Sequence, residues 1–243
     1  MSMTVPMRGL FCAVLCAAVA GCGSHEGLSE AGARKRETRI DLLGHECFLL
    51  TSSFGLKILT NPYGAGTGEG SLPSSLRPDV LLVSTERSDC NNVDAAENSP
   101  DILRGAVALG ANTSSGIRIR GVPSYENPEK AEDMNVIFAW TLDGVRCCFA
   151  GNVQGPLPPY ELAQIGTVDV LFLPVGLPAT LTDAERSEII SQLRPRLIIP
   201  MGRAAAISAW ALPPAKTYRL PGASVLVTRE TLPAEPTVLL FAQ

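Results

Sequence analysis

The sequence predicts an α/β sandwich in which two mixed β-sheets pack face to face with helices on the outside. Short strand-like segments dominate the chain from Thr38 onward. Continuous apolar runs at residues 79–84 and 168–174 are typical of strands that are buried on both faces. In each of two blocks, antiparallel-looking strands come first and buried strands and helices follow. That order favours two sheets with external helices.

Length and composition support a folded protein of one domain, or at most two small ones. The chain has 243 residues, of which 46% are hydrophobic and 18% charged. Such a composition can form a packed core and argues against extensive disorder. The net charge is −4 and no basic stripe is visible. Nucleic-acid binding therefore has no electrostatic support.

The N-terminal segment has the pattern of an export signal. Arg8 is the only charged residue before Cys22, and residues 9–20 are an apolar run that is shorter than a membrane span. The residues Val19-Ala20-Gly21-Cys22 resemble a bacterial lipobox, in which the cysteine becomes the lipidated N-terminus. An ordinary signal peptide with an incidental cysteine is the alternative.

This pattern predicts three parts. Residues 1–21 would be a lipoprotein signal peptide, residues 22–37 a flexible tether, and residues 38–243 the folded domain. We therefore expect an exported lipoprotein that is anchored to a membrane through lipid on Cys22. The domain would face the periplasm or the cell surface.

Four cysteines remain after the predicted cleavage: Cys47, Cys90, Cys147 and Cys148. Export would permit disulfides, but the sequence cannot choose among the pairings. Cys147 and Cys148 are adjacent in a strand-like run, so their side chains should point to opposite faces of a sheet. The alternative is that all four are small buried hydrophobes.

The first block of elements is rich in strands. We predict three short strands at residues 39–43, 47–51 and 56–60, and a buried strand at 79–84. Residues 116–122 alternate between apolar and polar. Two further strands, at 135–141 and 145–150, flank Asp143-Gly144, which is a strong signal for a two-residue hairpin.

The second block mixes helices and strands. Thr182 and Glu185 form a predicted capping box at the start of a helix that ends before Pro195. The other predicted elements are helices at 159–165 and 204–210 and strands at 168–174, 197–200, 225–228 and 237–241.

Several segments, in order, are similar to motifs of one hydrolase superfamily. Residues 43–50 (LGHECFLL), 60–63 (TNPY), 79–92 (DVLLVSTERSDCNN), 122–125 (VPSY), 143–152 (DGVRCCFAGN), 168–176 (VDVLFLPVG) and 198–201 (IIPM) are the segments that match. They resemble metallo-β-lactamase-fold hydrolases, in the branch of small metal-dependent hydrolases that includes ascorbate-6-phosphate lactonase-like proteins. The resemblance implies the αββα sandwich and a zinc- or manganese-dependent hydrolase site.

The same alignment implies that most metal ligands are missing. The family motif His-x-His-x-Asp-His is replaced here by Thr85-Glu86-Arg87-Ser88-Asp89-Cys90. Only Asp89 matches a family ligand. The remaining ligand positions hold Glu126 and Gly202, where histidines are expected, Asn152, where a bridging Asp is expected, and Phe149, where a strand His is expected.

These replacements remove most of the side chains that could coordinate a metal. The chain has two histidines, of which His25 lies in the predicted tether and His45 is not at a ligand position. Arg87 brings a permanent positive charge to a place where a dication would bind. Without a metal, no water would be activated. We therefore predict no metal, no cofactor and no catalytic residue, and a degenerate cleft lined by Thr85, Arg87, Asp89, Cys90, Glu126, Asn152 and Gly202.

Alternative interpretations of the cleft remain open. Asp89, Cys90 and Glu126 could bind one metal, or Asp89 could pair with Arg87 or cap a helix that starts near Asn91. Cys90 could be a nucleophile with His45 as its base, and Glu86 could be solvated or paired with Arg87. The function that we predict is binding or scaffolding in the cell envelope, with a small anion or an envelope protein as partner. The alternative is a hydrolase with a rebuilt one-metal or thiol-based site.

Overall fold

A computed structural model describes residues 35–64, 67, 70–125, 134–176, 181–210 and 216–242. In these residues the helices are α1 (Pro159–Ile165), α2 (Asp183–Leu193) and α3 (Ala204–Ala209). The strands are β1 (Thr38–Gly44), β2 (Cys47–Thr51), β3 (Lys57–Thr60), β4 (Val80–Val83), β5 (Asp101–Arg104), β6 (Gly110–Ser114), β7 (Ile117–Tyr125), β8 (Met134–Leu142), β9 (Val145–Phe149), β10 (Val170–Pro174), β11 (Leu197–Met201), β12 (Lys216–Arg219), β13 (Ser224–Val227) and β14 (Thr237–Leu240).

The strands form two mixed sheets. The first sheet has the order β13-β1-β2-β3-β4-β5, antiparallel as far as β3 and parallel from β3 to β5. The second sheet has the order β12-β14-β11-β10-β9-β8-β7-β6, parallel from β12 to β9 and antiparallel beyond. The predicted fold class, a sandwich of two mixed sheets with helices, is therefore confirmed.

The main core lies between the two sheets. Phe48 from β2 contacts Phe172 from β10, with ring centroids 4.8 Å apart in an edge-to-face arrangement. Phe149 from β9 packs against the same ring of Phe172. These three phenylalanines are fully buried. Edge-to-face aromatic contacts add to the hydrophobic stabilisation that burial of large rings already provides.

Different elements cover the outer faces of the sheets. Ile165 of α1 and Ile189 of α2 pack in a cluster with outward-facing residues of the second sheet, such as Leu171. On the first sheet, a smaller cluster joins strand residues to Tyr63 and Leu76, which belong to the segment between β3 and β4. None of the helices in the described part of the chain has the length and apolarity needed to cross a bilayer.

The first sheet joins two distant parts of the domain. Strand β1 lies between β2, which follows it directly, and β13, which comes near the end of the chain. Thr38 is paired with Val227 and Asp41 with Ser224. The edge of this sheet is therefore completed by residues from the C-terminal part of the domain.

Most predicted elements are present with small shifts of their ends. The capping box of α2 is formed, because Glu185 N donates to Thr182 Oγ1 and Thr182 N donates to the Glu185 carboxylate. The turn between β8 and β9 has positive φ at Asp143 (50°) and Gly144 (84°), as a type I′ hairpin requires. Strands β5, β6 and β12 were not predicted. A 3₁₀ turn at Val93–Ala95 takes the place of the helix that was considered near Asn91.

The four cysteines are buried free thiols. Cys147 belongs to the core between the sheets, whereas Cys148 belongs to the cluster under the outer helices. The expectation that their side chains point to opposite faces is confirmed, and so is the interpretation of all four as buried small residues.

The predicted signal peptide and most of the predicted tether, including Cys22, lie outside the described residues, and so does Glu126. The lipid anchor, the three-part division of the chain and the placement of Glu126 remain predictions.

Candidate functional site

The ends of several strands meet at one edge of the sandwich. Strands β9, β10 and β11 are parallel, so the residues after their carboxyl ends, including Asn152 and Gly202, lie at the same edge. The N–H of Val136 donates to Ser84 O over 2.7 Å, and the N–H of Gly202 donates to His45 O over 3.0 Å. These bonds bring the end of β4 and the β1–β2 turn to that edge of the second sheet.

Gly151 allows this close approach. Its φ is +57°, and a Cβ there would lie 2.3 Å from Asn135 Oδ1 and 2.6 Å from Ser84 Oγ. Both the backbone conformation and the space exclude a side chain. The Asn135 side chain fixes the same segment, because it accepts from Asn152 N (2.8 Å) and donates to Ala150 O (2.9 Å).

A buried polar network lies beside this junction. Asn61 Nδ2 is 2.8 Å from both Glu46 Oε2 and Ser84 Oγ, and the N–H of Ser84 donates to Asn61 Oδ1 over 2.8 Å. Glu46, Asn61 and Ser84 are each at most 1% exposed. Asn61 has a φ of 35°, which is uncommon for a residue other than glycine. The network connects the β1–β2 turn to the ends of β3 and β4.

Glu46 is the most strongly perturbed carboxyl among the described residues of this region. Burial raises its pKa from 4.5 to about 7, although the hydrogen bond from Asn61 and the nearby Arg87 charge oppose the shift and Asp89 adds to it. His45 Nδ1 is 3.5 Å from Glu46 Oε1. A buried carboxyl in an apolar setting favours its neutral form. This site therefore holds an acid that changes charge near neutral pH.

Two ion pairs hold the loop after β4, one within the loop and one to β5. Arg87 and Asp89 form an ion pair in which both side chains are partly buried. This is the pairing that the sequence offered as one interpretation of Asp89. Glu86 pairs with Arg104 of β5, so the suggested pairing of Glu86 with Arg87 is wrong.

The other interpretation of Asp89, a helix cap, is also wrong. The N-cap position of the 3₁₀ turn is occupied by Asn92, whose side chain makes no capping bond. Asn92 Nδ2 instead donates to Tyr63 O over 3.1 Å, and Asn92 N donates to Pro62 O over 2.8 Å. These bonds fix the end of the loop to the segment that follows β3.

Cys90 has the environment of a structural thiol. It is fully buried, and its Sγ lies 3.5 Å from Arg87 O and 3.8 Å from Thr85 O. Burial, followed by the charges of Glu46 and Asp89, raises the pKa of the thiol far above its ordinary value. A protonated thiol that faces carbonyl oxygens is a poor nucleophile and a poor metal ligand.

Among the described residues, those at the family's ligand positions do not by themselves form a ligand set for a divalent metal. Asp89 is paired with Arg87, Cys90 is held as a thiol, and Gly202 has no side-chain donor. Within the described ranges, no group of three or more His, Cys, Asp or Glu side chains is arranged to hold a metal ion. Catalytic zinc sites use about three such ligands.

The structure brings together part of the predicted site. Thr85, Arg87, Asp89 and Cys90 lie in one loop, Thr85 at 9% exposure and Cys90 at 0%. Asn152 is 7% exposed and follows Gly151, which contacts Ser84.

Glu46, Asn61 and Ser84 were missed as site residues. The sequence did contain two signals: a carboxylate beside the apolar run of residues 47–50, and an Asn in the TNPY segment.

The sandwich and the meeting strand ends define a protein of the metallo-β-lactamase fold class. Residues 39–202 match the sequence model of a family described as "Beta-lactamase superfamily domain". This match covers more than half of the chain, and the chain belongs to that family. The resemblance that the sequence motifs indicated is confirmed.

Individual relatives agree with this assignment. The chain is 25% identical over 192 residues to a protein named "UPF0173 metal-dependent hydrolase" from Archaeoglobus fulgidus, covering 67% of this chain and 82% of the relative. A crystal structure of a metallo-beta-lactamase superfamily protein from Thermotoga maritima has a TM-score of 0.64 at 23% identity, covering 84% of this chain and 100% of that one. A second crystal structure, of a protein from Parabacteroides distasonis, has a TM-score of 0.57 at 21% identity, covering 68% of this chain and 82% of that one.

Proposed function

We propose that this protein is a non-catalytic member of the metal-dependent hydrolase family and that it binds a partner or ligand through its altered cleft. The observation that supports the proposal is the ion pair between Arg87 and Asp89. Asp89 is the only residue retained from the family motif, and its carboxylate forms an ion pair with the Arg87 guanidinium. A permanent cation bonded to that ligand opposes the binding of a second cation.

The proposal includes a location in the cell envelope. The lipobox-like residues that end at Cys22 and the short apolar run before them support a lipid anchor. An anchored, non-catalytic domain would act as a scaffold or a ligand-binding protein at the membrane surface. Its partner would be an envelope protein or a small anion that reaches Arg87.

Metal analysis tests the proposal. The full chain is purified without chelators, and zinc, manganese and iron are measured by plasma mass spectrometry alongside assays of lactone and phosphodiester hydrolysis. We expect far less than one metal per chain and no turnover above background. Asp89→Asn should change neither result. The proposal would be overturned if the wild type contained stoichiometric metal and showed turnover, and if Asp89→Asn lost both.

The family itself favours a second candidate function. Its relatives are named metal-dependent hydrolases, and Asp89 Oδ1 is buried without a hydrogen-bond partner among the described residues. A rebuilt one-metal site would use Asp89 and Glu126, with Arg87 displaced. The thiol-based version has less support, because the Cys90 pKa is raised and its Sγ faces carbonyl oxygens.

A further inference from the structure

A small pocket lies between the end of β7 and the start of α1. Its volume is about 330 Å³, which is within the range of small-ligand sites. Its described lining residues are Ser124, Tyr125, Gln154, Gly155, Pro156, Pro158, Tyr160 and Glu161. The set combines two phenol rings, two prolines and one acid. It contains no lysine, arginine or histidine.

The acid in this pocket is buried, and only one of its two carboxylate oxygens accepts a hydrogen bond from the described residues. Glu161 is 4% exposed. Its Oε1 accepts a hydrogen bond from Tyr160 Oη over 3.0 Å, whereas its Oε2 has no hydrogen-bond partner among the described residues. Burial raises the pKa of this carboxyl, and the bond from Tyr160 opposes the shift. Burial disfavours the ionised form of this carboxyl, and a bound cation would favour it.

The two tyrosines provide aromatic surface near this carboxylate. Tyr160 is 57% exposed and, like Tyr125, lines the pocket. Its hydrogen bond with Glu161 raises its pKa above the ordinary value, with smaller contributions from burial and from the charges of Glu161 and Tyr125. The Tyr125 hydroxyl donates to Met134 Sδ over 3.4 Å, which holds that side chain against β8. Aromatic faces attract cations, and organic ammonium ions are recognised by aromatic rings combined with a negative charge.

We propose that the pocket formed by Tyr125, Tyr160 and Glu161 binds an organic ammonium group. The ammonium would contact the phenol rings and neutralise the Glu161 carboxylate, while the two prolines and the ring faces would contact its carbon substituents. This proposal is independent of whether the degenerate cleft hydrolyses a substrate. It adds a cation site to a protein whose cleft carries an arginine.

The test uses two probes of the same shape and different charge. Choline carries a quaternary ammonium, and 3,3-dimethylbutanol is its neutral analogue. Binding of each to the full chain is measured by titration calorimetry at pH 8. We expect choline to bind and the neutral analogue to bind at least tenfold more weakly. Equal binding of both probes would overturn the proposal. So would the absence of choline binding at choline concentrations up to about 100 mM, which is 100-fold above a millimolar dissociation constant.

Variants then assign the binding to these residues. Glu161→Gln keeps the shape but removes the charge, and we expect at least tenfold weaker choline binding. Tyr160→Leu removes an exposed ring and should fold normally. Its choline binding should fall about two- to fivefold, as expected for one cation–π contact at an exposed position. The matched control is Glu188→Gln on the exposed face of α2, which should bind choline like the unmodified chain. Unchanged binding in both Glu161→Gln and Tyr160→Leu would refute the assignment.

Discussion

Glu46 shows how one side chain can make the stability of this fold depend on pH. The carboxyl is fully buried, it accepts a hydrogen bond from Asn61, and its pKa is about 7. Because the folded pKa is raised above the unfolded value, the folded state holds the proton more tightly. The contribution of protonated Glu46 to the stability of the fold is therefore complete below about pH 4.5 and is lost as the pH rises through about 7.

We therefore expect Glu46→Gln to remove one component of the pH dependence of stability. Glutamine can still accept the bond from Asn61 but cannot ionise. Between pH 4.5 and 7.5, the wild type should lose about 3 kcal/mol of unfolding free energy relative to Glu46→Gln. Urea denaturation followed by circular dichroism at several pH values measures it. Glu188→Gln is the control, and a pH-independent difference for Glu46→Gln would contradict the burial of an ionisable Glu46.

Arg87 leads to a second prediction about a single residue. One of its nitrogens, Nη1, is buried without a hydrogen-bond partner among the described residues. If a small anion binds there, sulfate or phosphate should raise the melting temperature, and Arg87→Ala should abolish the rise. At a hundredfold excess over the dissociation constant, binding adds about 2.7 kcal/mol.

The control for the anion experiment is Arg104→Ala, which breaks the neighbouring ion pair with Glu86. This variant should keep the response to anions. The response to sulfate, whose own charge is constant in this range, should also weaken as the pH rises through about 7, because Glu46 then gains a negative charge that interacts with Arg87. If anions stabilise the wild type and Arg87→Ala equally, the cleft has no specific anion site.

The sequence indicated which residues share the loop after β4 but not the contacts that their side chains make. Thr85, Arg87, Asp89 and Cys90 could be placed in one loop because they align with a spaced family motif. Glu46 could not be identified, because burial of a turn residue depends on what packs over it. Here the turn is covered by residues that are distant in sequence, such as Asn61 and Gly202.

At the level of elements, burial explains which strands were predicted. Strands β4, β10 and β11 are buried along their whole length and have continuous apolar sequences. The missed strands β5, β6 and β12 lie at sheet edges. Strand β12 is exposed at all four residues, and β6 has the polar sequence GANTS. Such segments become strands because a neighbour offers hydrogen bonds, and their own pattern does not show it.

The loop after β4 provides an element-level prediction. The combined changes Thr85→His, Arg87→His and Cys90→His restore the family motif in this loop. We expect the triple variant to be less stable than wild type by several kcal/mol, because Cys90 is fully buried and an imidazole overfills its space. It should bind zinc weakly, since Asn152 and Gly202 still supply no carboxylate or imidazole.

Isothermal titration with zinc and an assay of lactone and phosphodiester hydrolysis measure the outcome for the triple variant. Arg87→His alone serves as the control for loss of the ion pair with Asp89. Metal-dependent turnover by the triple variant would show that the rest of the hydrolytic site is intact, and it would favour the hydrolase function over the binding function.

For the whole molecule, the main prediction concerns the anchor. If Cys22 carries lipid, Cys22→Ser should abolish labelling by a fatty-acid probe and move the protein from the membrane fraction to the soluble fraction. Cys16→Ser, within the predicted signal peptide, is the matched control and should leave both unchanged. Membrane association that persists in Cys22→Ser, without lipid label in either protein, would contradict a lipid anchor.

The pairing of β1 with β13 has a consequence for the order in which the protein can fold. Thr38 can pair with Val227 only after almost the entire domain has been synthesised. Until then, the backbone hydrogen-bonding groups on this side of β1 have no partner strand. Closing so large a loop is slow, because chain entropy is lost before the contacts form. An unpaired strand edge is a template for association with other chains. Aggregation during biogenesis should therefore begin at β1, and a chain that ends before residue 224 would keep this hazard permanently.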